Sequence, residues 1–242
     1  MHLELVSCIH DDLDCIGAKE VTQVRFSSLK TLKMSYCHPN LVMKILPGCP
    51  VLEILDLEQM KGKISVFKIH APLLKRLYFS NSTSLDELTE LLEIHTPLVE
   101  YLNICVTSPP YKTISLCNLP NLIEAYIDCF ASERYVGYVP QLLTLLSKVK
   151  SLLCLIHATP LDLPKFRYLR NLEIVHGRFN PTYIFGMLEI WPMLRVLTVH
   201  QIGVAKDPWT KPTSVPYCLA SKLSKDIAEG VEKGAGDDWF ES

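Results

Sequence analysis

Residues 47–57 read PGCPVLEILDL, with Pro50 ahead of Leu52, Leu55 and Leu57. Leu55 and Leu57 stand two apart, which puts both on one face of a strand. Pro50 falls just before that strand, where its missing N–H costs the ladder nothing. The phrase, Pro-x-Leu-x-x-Leu-x-apolar, returns along the chain. APLLKRLYF carries Pro72, Leu74, Leu77 and Phe79, and TPLVEYLNI carries Pro97, Val99, Leu102 and Ile104. LPNLIEAYI follows with Pro120, Leu122, Ala125 and Ile127, and WPMLRVLTV with Pro192, Leu194, Leu197 and Val199. FSSLKTLKM (Leu29, Leu32, Met34) and FRYLRNLEI (Leu169, Leu172, Ile174) lack the proline, and VKSLLC (Val149, Leu152, Cys154) is a weaker copy.

The first core residues of these copies fall at 29, 52, 74, 99, 122, 149, 169 and 194. Steps of that size match a leucine-rich repeat. A strand this short cannot bury its apolar face alone, but stacked copies share one core. The expected fold is therefore an α/β leucine-rich-repeat solenoid: a curved parallel sheet over residues 1–203, of about eight repeats. Leu3 and Leu5 suggest a partial first strand. On the outer side, helical spacing predicts helices at 85–94 (Leu85, Leu88, Leu91 and Leu92, capped by Ser84), 140–149, 181–191 and, shorter, 40–46. Residues 63–69 and 111–117 read as extended. Residues 204–219 are expected to cap the back of the array with Trp209 and Tyr217, and 220–242 form a polar tail.

Composition narrows the function classes. Forty-eight per cent of the residues are hydrophobic, and the net charge is -2. No basic block suggests nucleic acid or an anionic membrane as partner. No stretch reaches the ~18 apolar residues of a membrane helix. The nine cysteines are odd in number and widely spaced, which predicts buried free thiols and a nuclear or cytoplasmic protein. There is no G-x-S-x-G, no phosphate-cradling glycine loop and no H-E-x-x-H. Cys8, His10 and Cys15 fit no metal-ligand spacing. Neither an enzyme nor a cofactor is expected.

The wording of the repeats goes further than their spacing. PGCPVLEILDL resembles the repeat of plant F-box/LRR proteins, including those with an FBD domain. FSSLKTLKMSYC, IHAPLLKRLYFSN, LPNLIEAYIDC and FRYLRNLEIVHG are similar to its other repeats, so the likeness covers residues 20–203. PWTKPTSVPYCL (208–219) resembles the opening of the FBD region. Residues 1–25 do not resemble an F-box, so docking on the Skp1-type adaptor of a ubiquitin ligase is not expected of them. Secreted plant repeats carry an asparagine three residues past the strand core. Cys37, Met60, Ser82, Thr107, Phe130, Gly177 and Ile202 stand there instead.

The resemblance implies recognition of a target protein on the concave face. Residues that split or flank each core pair point that way. The central series is Lys33, Asp56, Tyr78, Asn103, Tyr126, Leu153, Glu173 and Thr198, with Glu58, Arg76, Tyr101, Glu124, Asp128 and His200 beside it. Tyrosines among mixed charges suit a protein interface. Two alternatives are a small-molecule sensor for a hormone or inositol phosphate, which needs a basic floor, and a degenerate truncated fragment.

Overall fold

The chain is described from a computed structural model, which places residues 1–6, 25–60, 62, 64–81, 89–106, 111–117, 119–129, 138–156, 164–176, 188 and 191–201. Its first strands are β1 (His2–Val6), β2 (Thr31–Ser35), β3 (Ile54–Glu58), β4 (Val66–His70), β5 (Arg76–Asn81) and β6 (Thr89–His95). They continue with β7 (Tyr101–Val106), β8 (Tyr111–Leu116), β9 (Glu124–Cys129), β10 (Ser151–Ile156), β11 (Asn171–His176) and β12 (Val196–Gln201). Two short helices, α1 (Pro39–Ile45) and α2 (Tyr138–Leu145), and a 3-10 turn at Leu46–Gly48 complete the described elements.

Each repeat phrase forms one strand of a nine-stranded parallel sheet, in the order β1-β2-β3-β5-β7-β9-β10-β11-β12. Between them run the outer segments. α1 and α2 are two of these, and β4, β6 and β8 pair into a second, three-stranded parallel sheet. The register holds from end to end. One buried column runs Leu32, Leu55, Leu77, Leu102, Ala125, Leu152 and Leu172; the next runs Met34, Leu57, Phe79, Ile104, Ile127, Cys154 and Ile174. Phe67, Ile69, Leu92, Ile94 and Ile114 close the core from the outer sheet. The Phe67 and Phe79 rings meet across it with centroids 6.2 Å apart. Further back, Trp191 packs on Phe166 and donates its indole N–H to the Pro164 carbonyl at 3.2 Å.

One outer element departs from the sequence reading. Thr89 to His95 is strand β6, not part of a helix over 85–94; residues 82–88 lie outside the described part. Leu92 and Ile94 also alternate with period 2, and β4 and β8 offer ladders on both sides. Tertiary pairing outweighs the local helical spacing. The extended readings at 63–69 and 111–117 correspond to β4 and β8, and the helices at 40–46 and 140–149 to α1 and α2. The helix expected at 181–191 falls mostly outside the described residues, and the 204–219 cap and 220–242 tail fall wholly outside.

Cys37, Cys49 and Cys154 are buried free thiols, and Cys105 and Cys117 are half-buried ones. Burial pushes the Cys154 thiol up to about 12, so it stays an inert packing group.

α1 is held by a histidine. His38 Nδ1 accepts the Asn40 N–H at 3.1 Å, and Pro39 supplies a preset first turn. Gly62, at φ +99°, lies against the His38 ring, where any Cβ would collide with the imidazole. Burial lowers the His38 pKa, so the neutral ring is the folded form. A lowered histidine pKa stabilises fully above the unfolded value of about 6.5 and less as pH falls through the folded value. Protonation also removes the lone pair that caps α1. The urea midpoint is therefore expected to fall between pH 7.5 and 5.5. His38→Asn keeps an acceptor without the titration and is expected to flatten that slope. An equal slope in both proteins would refute this account.

Candidate protein-binding face of the large sheet

Strand alternation that sends the leucine columns inward sends three other rows outward. The central row reads Glu4, Lys33, Asp56, Tyr78, Asn103, Tyr126, Leu153, Glu173 and Thr198, each the register partner of the next. This is the series expected from sequence, extended at the front by Glu4. The row towards the strand starts includes Ile54, Arg76, Tyr101 and Glu124; the row towards the strand ends includes Ser35, Glu58, Ser80, Cys105 and Asp128. His200 takes the corresponding register position on β12, opposite Val175. All thirteen expected positions thus lie on one continuous face. Glu4, Ser35, Ile54 and Cys105 are on it as well; their place in the alternation was the signal that would have found them.

The front of the face is an ion network. Lys33 Nζ lies 3.0 Å from Glu58 Oε1 and 3.7 Å from Asp56 Oδ2, and Ser35 Oγ donates to Glu58 Oε2 at 3.1 Å. The bond to Glu58 raises the Lys33 pKa. Burial, then the Glu58 charge, raises that of Asp56. The centre is aromatic. Tyr78 and Tyr101 stand on adjacent strands with ring centroids 5.3 Å apart, and the Arg76 guanidinium carbon lies 5.8 Å from the Tyr101 centroid. Tyr126 follows, its hydroxyl pKa raised by burial and then by Asp128. Cys105 Sγ donates to Asp128 Oδ2 at 3.5 Å.

Across the three rows there are six carboxylates, Glu4, Asp56, Glu58, Glu124, Asp128 and Glu173, and two cations, Lys33 and Arg76. Both cations are engaged, Lys33 by acids and Arg76 by tyrosine. The basic floor that an inositol phosphate needs is not on this face. A recess elsewhere, between Leu116, Leu119 and Leu122 and residues 145–149 with Lys148 among them, is about 140 Å³. Small-molecule sites run to roughly 300–1,000 Å³. Among the described residues no group of three His, Cys, Asp or Glu side chains could hold a metal, and no helix is long and apolar enough to cross a membrane.

Known proteins share this sequence pattern. An FBD-associated F-box protein of Arabidopsis thaliana is 28% identical over 232 residues, covering 86% of this chain and 51% of the relative. Another FBD-associated F-box protein of that plant is 28% identical over 235 residues, 91% of this chain and 49% of its own. An Arabidopsis F-box/FBD/LRR-repeat protein is 30% identical over 220 residues, 83% and 46% respectively. No family model and no solved structure matches the chain. The chain spans about half the length of the curated relatives it matches. None of those names denotes an enzyme; they point to a protein-interaction role. In its repeat phrase and along most of its length, the chain is similar to plant FBD-associated F-box and F-box/FBD/LRR-repeat proteins.

Proposed function

We propose that the outward face of the nine-stranded sheet recognises a target protein, as the substrate-holding part of a ubiquitin-ligase F-box protein would. The observation that carries this reading is the aromatic centre, where Tyr78, Tyr101 and Tyr126 project from three successive strands beside Arg76 and Asn103. All three tyrosines are half-buried, so part of each ring stays open. Fixed, amphipathic rings of this kind dominate protein interfaces, because they bury much area with few torsions to freeze. The protein acts by binding, in the nucleus or cytoplasm, and delivery to a ligase adaptor belongs to whatever segment carries an F-box.

The test is affinity capture from plant extract with the parent and with Tyr78→Glu/Tyr101→Glu/Tyr126→Glu. Loss of a captured partner by about 100-fold or more in affinity is expected, since each desolvated tyrosine is worth on the order of 1–2 kcal/mol. The rings lie outside the core, so the melting temperature should stay within a few degrees. Tyr101→Ala alone gives a milder second reading. A folded triple variant that captures the same partner equally well would sink the proposal.

A further inference from the structure

We propose that the strand-start edge of the last three repeats binds an acidic, extended segment of the partner protein; this rests on the protein-recognition reading above. The residues just ahead of the inner strands form a row of their own: Lys30, Glu53, Lys75, Glu100, Ile123, Lys150, Arg170 and Arg195. From Glu53 onward, each backbone N–H donates to the carbonyl of the preceding member of the row, at 2.7–2.9 Å. Rungs of a sheet are about 4.8 Å apart, so side chains along this row are near neighbours.

The two halves of the row differ. In the first, Glu53 bridges two cations, 2.9 Å from Lys30 and 3.0 Å from Lys75. In the second, Lys150, Arg170 and Arg195 succeed one another with no acid between them. Lys148, Lys165 and Arg167 are exposed in the segments leading into the same strands, as is Tyr168, 58% exposed. The segments 146–153, 164–172 and 191–199 contain no Asp or Glu. Among the described residues no carboxylate pairs with any of these six cations. Like charges on facing rungs destabilise a sheet. The fold gains nothing from this arrangement, whereas an anion laid along the edge would turn repulsion into attraction. The guanidinium forks of Arg170 and Arg195 suit carboxylate or phosphate oxygens.

The neighbouring surface selects the kind of anion. The outward face beyond this edge carries six carboxylates against Lys33 and Arg76, so a uniform polyanion spreading across it would be repelled. A peptide can put an acidic or phosphorylated stretch on the edge and its remaining residues against the tyrosines. Single-stranded nucleic acid cannot separate its charge in this way.

The experiment measures fluorescence anisotropy of the full chain with three labelled probes. These are a short peptide with Glu and phosphoserine at alternate positions, its Gln/Ser counterpart, and an oligonucleotide of matched charge. The acidic peptide is expected to bind, and to bind less as ionic strength rises. Lys150→Gln/Arg170→Gln/Arg195→Gln should weaken it by about tenfold or more. That variant should melt no lower than the parent, since it relieves repulsion. Arg170→Glu alone is the second variant should the triple one fold poorly. Peptide binding unchanged in the edge variants, no preference over the neutral peptide, or tighter binding of the oligonucleotide would each overturn the inference. Failure here leaves partner capture through the tyrosines intact. Capture that survives the tyrosine changes fails the other reading and leaves the peptide result standing.

Discussion

Phe79→Ala is expected to cost about 3–5 kcal/mol, the range for removing a buried phenylalanine. Phe79 is 1% exposed and sits in the second inward column between Leu57 and Ile104. Its ring also reaches Phe67 of the outer sheet, so truncation leaves a void shared by both walls. In a stacked array each repeat is supported by its neighbours, so the loss spreads to the contacts with β3 and β7. Those strands are fixed by their own ladders and cannot close over the space. Equilibrium urea denaturation should show the midpoint shifting strongly, while Phe79→Leu, which keeps most of the volume, costs less than about 1.5 kcal/mol. An alanine variant within about 1 kcal/mol of the parent would mean that the two sheets do not share a core.

Leu91→Pro is expected to cost about 3 kcal/mol or more, through the backbone rather than the side chain. Leu91 is in the middle strand of the outer sheet, and its N–H donates to the Ser65 carbonyl at 3.1 Å. Proline deletes that donor where both neighbours need the strand intact. The companion change separates strand from helix. Leu91 is only half-buried, so Leu91→Thr on a pleated surface should change stability by less than about 0.5 kcal/mol. In a helix the same threonine would give up a leucine of the apolar stripe and a strong helix former. Circular dichroism and urea titration of the two variants decide it; a threonine change as damaging as the proline would argue for a helix there.

The inner sheet was legible because its signal repeats. A single Leu-x-Leu pair says little, but eight at similar spacing fix both the strand and its neighbour. The outward residues came with it, since Tyr78 cannot face the solvent unless Leu77 and Phe79 face the core. The outer wall was harder to read. Residues 89–95 carry leucines that satisfy periods of both 3.6 and 2, and only the presence of β4 and β8 decides between them. The basic edge was invisible along the chain for a different reason. Lys150, Arg170 and Arg195 are 20 and 25 residues apart, too far to form a run, and repeat stacking alone brings them together.

The outer wall has a consequence for shape. Strands on both walls rise at the same ~4.8 Å per repeat, whereas a helix on one wall demands ~10 Å. Repeats backed by β4, β6 and β8 therefore have no reason to fan out, and those backed by α1 and α2 do. The middle of the molecule should be a flat panel with a bend at either side. Tyr78 and Tyr101 are on that panel, so a partner can meet both rings in one plane without bending around them.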